Sequence, residues 1–140
     1  MNISKTLPSS FEVIPSFTQD VLENLSKEIT LEGDEIFNIK LVLEESMTNA
    51  IKHGNKLNPS SMIQATVSLA GNRLTMIVKD QGQGFDFKNV PDPTQRDHLL
   101  KTSGRGVFLI RKLMDDVSYH DGGREIRMVK VLCKNKSNVR

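Results

Sequence analysis

Between residues 36 and 78 the hydrophobic pattern changes period once, and that change limits what this chain can fold into. Ile36, Ile39, Leu43, Met47, Ala50 and Ile51 fall within one arc when successive residues turn by roughly 100°, which predicts a helix. It should run from about Glu35 to Lys52, with Asp34 accepting a first-turn amide as N-cap. From Ile63 the period drops to two. Ile63, Ala65, Val67 and Leu69 alternate with Gln64, Thr66 and Ser68, and Leu74, Met76 and Val78 alternate again after a Gly71-Asn72 turn.

The flanking segments extend this pattern. FEVI at 11–14 reads as a short edge strand before Pro15, and Phe17, Val21, Leu22, Leu25 and Ile29 recur at helical spacing within 16–30. His53-Gly54-Asn55 stops the second helix, with Gly54 suited to a left-handed cap. A third helix fits Val107 to Met114, and two strands, about 117–120 and 125–133, flank Gly122-Gly123. The order helix, helix, hairpin, loop, helix, hairpin segregates helices from antiparallel strands. The expected fold class is therefore α+β, a two-layer sandwich with helices on one face of the sheet. With 140 residues and neither a repeat nor a boundary, 1–140 reads as a single domain with its core at about 10–133.

Charge and composition exclude several function classes. Nineteen basic residues face 17 acidic ones, Trp is absent and Tyr occurs once, so no basic surface with stacking aromatics is available for nucleic acid. Cys133 is the only cysteine, which excludes an internal disulfide and a cysteine metal cluster; its apolar, strand-like surroundings read as core filling. The N-terminus lacks a signal-peptide apolar run and no segment suits a bilayer span, so a cytoplasmic protein without membrane attachment is expected.

Three segments carry candidate chemistry. In EESMTNAIKHG at 44–54, Glu45, Asn49 and His53 recur every fourth residue on the side of the helix away from its apolar arc. The Asn49 and Glu45 oxygens suit a hard cation such as Mg²⁺, and the carboxylate can also accept a proton. The same spacing equally suits a solvated helix face, and His53 suits a helix C-terminus with no further role. DQGQG at 80–84 follows a strand directly. Asp80 can accept from an exocyclic amine there, while Gly82 and Gly84 let backbone approach a ligand. No helix with a third glycine opens after it, which excludes a dinucleotide-binding Rossmann turn. Ser103-Gly104-Arg105-Gly106 leads into the third helix, where free amides and the helix dipole favour phosphate, or where glycines serve only as a hinge. The intervening 85–103 has two prolines, many charges and no period, as a lid or binding loop would.

In this order, E-x-x-x-N on a helix, D-x-G-x-G at a strand end, a long polar loop and G-x-G at a helix start, the sequence resembles the Bergerat-fold (GHKL) ATPases. These include DNA gyrase and the ATP domains of histidine kinases. The resemblance implies a mixed, mostly antiparallel sheet, ATP and Mg²⁺ as cofactors, and 85–103 as the ATP lid. It implies Asn49 as Mg²⁺ ligand, Asp80 as receiver of the adenine amine, and Glu45 as general base. Gly82, Gly84, Gly104 and Gly106 would shape the pocket, with Ser103, Arg105 and His53 beside the nucleotide. NAIKHGN at 49–55 and GRGVFLIRKLMDDV at 104–117 resemble the anti-sigma-factor serine/threonine kinases of bacterial partner switching. That branch implies a homodimer that binds a sigma factor and phosphorylates a STAS-fold anti-anti-sigma protein. A non-catalytic module whose nucleotide only gates partner binding is the alternative, and it would have no need of a base at Glu45. Two departures stand out. Many relatives have Thr in the last hairpin where this chain reads Gly122-Gly123-Arg124-Glu125-Ile126, and some have Arg where it has Thr102.

Overall fold

The computed structural model describes residues 1–83 and 104–135. Five strands form one sheet in the order β1-β3-β4-β6-β5: β1 (Asn2–Pro8), β3 (Met62–Ala70), β4 (Arg73–Lys79), β5 (Asp116–His120) and β6 (Glu125–Val131). Every pairing in it is antiparallel. Two short strands, β2 (Ile29–Thr30) and β7 (Lys134–Asn135), pair separately. The helices are α1 (Val13–Ser26), α2 (Gly33–Asn49) and α3 (Gly104–Leu113), and α2 packs between the other two.

The two periods of the sequence meet in a single core. Ile63, Ala65, Val67, Leu74, Met76 and Val78, the alternate residues of β3 and β4, bury against Phe17, Val21 and Leu25 of α1 and Ile39, Leu43 and Met47 of α2. The intervening strand residues are polar except Ile77, and across the outer face Ser4 and Thr66 hydroxyls lie 3.0 Å apart. This is the expected α+β sandwich with helices on one face. No helix among the described residues is long and apolar enough to cross a membrane.

Several local expectations are corrected. FEVI at 11–14 is no strand: β1 lies upstream, in register with β3 from Asn2↔Ser68 to Pro8↔Met62. Val13 instead opens α1, because Val13, Phe17 and Val21 share one helical stripe and Pro15 sits in a first turn that has no use for its missing N–H. Ile36 is not core but 41% exposed, at the solvent edge of α2. Asp34 does accept the Glu35 amide at 3.0 Å, but the N-cap position belongs to Glu32. Cys133 is exposed, since the chain alternates and Leu132 takes the buried position.

Glu35 closes the end of the sandwich where β6 finishes and β4 begins. Its buried carboxylate accepts from the Glu32 amide and the Cys133 amide, both at 2.9 Å, tying the start of α2 to the chain after β6. Burial pushes this carboxyl up, but the two amides and the charge of Lys130 outweigh it and hold it below the ordinary glutamate value.

Candidate functional site

Helix α2 does not end where its α-helical hydrogen bonds do. Ala50–Gly54 continues as a π-helical turn, closed by a 2.7 Å bond from the Asn55 amide to the Ala50 carbonyl. One extra residue in the turn keeps the spiral going through Gly54, so Gly54 is not the left-handed cap that its position suggests. The left-handed residues come later, at Lys56 (φ 52°) and Leu57 (φ 62°). A π turn re-aims the side chains that follow it. Here Ser46, Asn49, Ala50, His53 and Gly54 all line one side of a cleft of about 200 Å³. The facing wall comes from the sheet: Val78 and Asp80 at the end of β4, Tyr119 of β5, and Gly123, Arg124 and Ile126 around the start of β6.

Asp80 stands where β4 meets this cleft. Its Oδ1 accepts the Gly82 amide at 2.8 Å, which bends the chain into a tight turn straight after the strand. Burial raises its carboxyl above the ordinary aspartate range, opposed by the Gly82 amide and the Arg124 charge, with Asp121 adding to the rise. Two glycines admit it. A Cβ on Gly54 would collide with the Asp80 carboxylate, and a Cβ on Gly82 would collide with the Gly54 carbonyl. Gly54 therefore matters for close approach between α2 and β4, and not for handedness.

Asn55, whose role the sequence did not reveal, ties three segments together. Its Nδ2 donates to Ser9 Oγ at 3.1 Å and to the Met62 carbonyl at 3.0 Å, while its Oδ1 accepts the Gln81 amide at 2.8 Å. Gln81 Oε1 in turn accepts the Met62 amide at 2.6 Å. With Asn55 only 5% exposed, Asn55→Ala leaves buried groups unpaired. Equilibrium unfolding should show a loss of roughly 1–3 kcal/mol, whereas an Asn55 that only stops a helix would cost a few tenths.

At the other end of the cleft, Glu45 and Asn49 meet the N-terminal turn of α3. A Cβ on Gly106 would lie 2.9 Å from both Glu45 Oε2 and Asn49 Nδ2, so the bare glycine lets these two side-chain ends lie against the start of α3. Asn49 lines the cleft and Glu45 lies just outside its wall, toward α3. The glycine box is not a loop before the helix, because Gly104 and Gly106 both lie inside α3's first turn. First-turn amides have no carbonyl partner within the helix and attract an anion. A hard oxygen donor on Asn49, a carboxylate beside it and an anion-attracting helix start fit Mg²⁺ held with phosphate, since that ion takes few protein oxygens and completes its shell from phosphate and water. No group of three or more metal-binding acids, histidines or cysteines occurs among the described residues, so an all-protein cage is not built there.

His53 lines the cleft between these ends. Burial, and then the charge of Lys52, lower its pKa, which favours a neutral imidazole. Tyr119 forms the back wall with the Arg111 guanidinium 5.9 Å from its ring centre, and burial pushes its hydroxyl up to about 12. The structure puts Asn49, His53 and Asp80 on one cleft and Glu45, Gly82 and Gly106 at its margins. Gly84, Ser103, Thr102 and the expected lid at 85–103 lie outside the described residues, and of Arg105 only its backbone place in α3 is described. Ser46, Lys56, Tyr119 and Arg124 went unread. Tyr119 alone carried a signal, since it alternates in step with Val117 on the inward side of its strand.

Residues 7–130 match the family model described as "Histidine kinase-like ATPase domain". Curated relatives agree with it. The serine-protein kinase RsbW of Staphylococcus epidermidis is 30% identical over 142 aligned positions, covering 96% of this chain and 89% of the relative. The serine-protein kinase RsbW of Staphylococcus aureus is 28% identical with the same coverage of both chains.

Proposed function

The chain belongs to the histidine kinase-like ATPase domain family, and from that premise we propose that it is an ATP- and Mg²⁺-dependent serine/threonine protein kinase acting as an anti-sigma factor. On this reading it binds a sigma factor and phosphorylates a serine or threonine of a STAS-fold antagonist. The observation that carries the catalytic part is the meeting of Glu45, Asn49 and the first turn of α3 at Gly106. A carboxylate, an amide oxygen donor and a helix N-terminus converge at one end of a cleft whose other end holds a half-buried aspartate. The relatives named as serine-protein kinases support the same reading.

The residues divide the reaction by position. Asp80 Oδ2 accepts from the exocyclic amine of adenine while its Oδ1 stays engaged with the Gly82 amide. The phosphates then extend along α2 toward α3, where first-turn amides hold the terminal group. Glu45 accepts the proton of the acceptor hydroxyl as the new O–P bond forms and the bond to the β-phosphate oxygen breaks, releasing ADP. Asn49 would hold Mg²⁺, which would supply charge neutralisation for the phosphates when bound. The homodimer and the cytoplasmic location implied by the resemblance are part of the same proposal.

The deciding experiment incubates the chain with ATP labelled at the γ-phosphate and a STAS-domain protein from the same cell, followed by mapping of the phosphorylated residue. Label on a serine or threonine supports the kinase reading. Partner binding that responds to ATP with no phosphoprotein on long incubation overturns it in favour of a nucleotide-gated binding module.

Asp80 adds a pH signature. Its carboxylate must be ionised to accept from an amine, and its pKa is raised by burial. ATP affinity should therefore fall with acidification from a higher pH than an exposed aspartate would give, as the carboxylate takes up its proton. Calorimetric titration at a series of pH values checks this, with the limb absent in Asp80→Asn. A limb of equal size in that variant would assign the titration to the nucleotide or to another residue.

A further inference from the structure

We propose that Arg124 is a positioning residue for base recognition, whose guanidinium fixes the Gly82 carbonyl and so aims the free oxygen of Asp80 into the cleft. The proposal deepens the nucleotide-binding reading above and rests on it. The family resemblance implies a threonine in this last hairpin, and the chain has none there. Arg124, which lines the cleft, stands in the same hairpin.

Two hydrogen bonds hold the Asp80–Gly82 turn to residue 124 from opposite sides. The Asp80 amide donates to the Arg124 carbonyl at 3.0 Å, and Arg124 Nε donates to the Gly82 carbonyl at 2.7 Å. With the Gly82 amide donating to Asp80 Oδ1 at 2.8 Å, the three residues form a closed ring of hydrogen bonds. Oδ1 is thereby engaged, and Oδ2 sits against Gly54, in the place a side chain there would take, on a residue that lines the cleft. The bond from the Arg124 guanidinium and the bond to the Asp80 carboxylate are both charge-assisted, and each is stronger than the neutral amide–carbonyl bond that completes the ring.

The guanidinium is itself held in place. Its NH1 donates to the Asp121 carbonyl at 3.0 Å and lies 3.7 Å from the Asp121 carboxylate, whose other oxygen takes Lys79 Nζ at 3.0 Å. The turn between β5 and β6 makes this possible through three successive residues at positive φ: Asp121 at 53°, Gly122 at 65° and Gly123 at 94°. That path folds the chain back, so that a Cβ on Gly122 would lie 3.2 Å from the Arg124 NH1. The exposed pair with Asp121 contributes little by itself. Its effect is to orient the planar fork that reaches Gly82, which a lysine cannot reproduce.

The test is calorimetric titration of the full chain and its Arg124→Ala and Arg124→Lys variants with Mg²⁺ and either ATP or purine riboside triphosphate, which lacks the exocyclic amine. Arg124→Ala should weaken ATP by about 10- to 100-fold, the loss of one charge-assisted hydrogen bond, and the analogue by less than about threefold. The pH midpoint of ATP binding should also rise in Arg124→Ala. Of the charged groups around Asp80, namely Arg124 and Asp121 from the β5–β6 turn, His53 and Lys56 after α2, and Lys79 in β4, Arg124 is the one that lowers its pKa. Arg124→Lys should lose the preference for ATP yet move the midpoint less, because the charge remains. It also serves as the test if the alanine variant does not fold. Equal weakening of both nucleotides, or unchanged ATP affinity in both variants, overturns the proposal. Failure of the wild type to bind ATP would instead overturn the nucleotide reading on which it rests.

Discussion

Glu45→Gln should lower phosphate transfer to a STAS-domain acceptor by about 10²- to 10⁴-fold, the usual contribution of a general base, with ATP affinity nearly unchanged. The substitution keeps the volume and the hydrogen-bonding reach of the side chain and removes its ability to take a proton. Binding should survive because Glu45 is not in the cleft wall that Asn49, His53 and Asp80 share; it faces the first turn of α3 beside Gly106. The measurement is single-turnover transfer of labelled phosphate, set beside calorimetric ATP titration of the same sample. Wild-type transfer in Glu45→Gln would remove Glu45 from the chemistry and leave it as a solvated helix residue that happens to lie near a glycine. Loss of transfer and binding together would show a structural role and not a base.

Gly82→Ala should cost ATP affinity about 10- to 100-fold, because the overpacking it introduces falls on backbone. The added methyl would enter the Gly54 carbonyl, which belongs to the π turn after α2 and cannot rotate away as a side chain would. Relief requires the Asp80–Gly82 turn to separate from the end of α2, and that motion carries Asp80 off its place in the cleft. Gly106→Ala makes a useful contrast, since its methyl would meet the ends of the Glu45 and Asn49 side chains at 2.9 Å. Those ends can swing aside, so the damage should fall on transfer more than on adenine binding. An unchanged ATP isotherm for Gly82→Ala, with unaltered thermal unfolding, would mean that the close packing of these two segments has no part in binding.

The readable and unreadable parts of this site divide by the range of the interaction. Asp80-x-Gly82, the Glu45–Asn49 spacing and the glycines before Val107 are each local, a few residues long, and they carry their chemistry in their residue types. Among the described residues, Glu45, Asn49 and Gly106 meet at one end of the cleft and Asp80 stands at the other. Asn55 and Arg124 were not legible in the same way. Asn55 bridges to Ser9 and Gln81, and Arg124 reaches Gly82 across 42 positions, so no window of the sequence contains both partners. Gly54 was visible as a glycine but for the wrong reason. A helix end commonly calls for a left-handed cap, and nothing nearby announces that Asp80 will pack against it.

By itself the sequence determined the layers. A stripe at the helical period and two runs at period two each leave one apolar face, and burying those faces against one another is the only arrangement that removes all of them from water. The facing of β3 and β4 followed, since a slip of one residue would turn Ile63, Ala65 and Val67 outward, whereas β1 and its pairing did not. Tertiary structure alone decided the fine geometry of the cleft. The π turn that brings His53 and Gly54 to its wall, the three left-handed residues that deliver Arg124, and the contact of Gly106 with Glu45 and Asn49 all arise where distant segments meet. The physical reason is that burial responds to the average polarity of a face, which a sequence displays. Hydrogen bonds and van der Waals contact respond to tenths of an ångström between atoms, and the packed chain alone sets those distances.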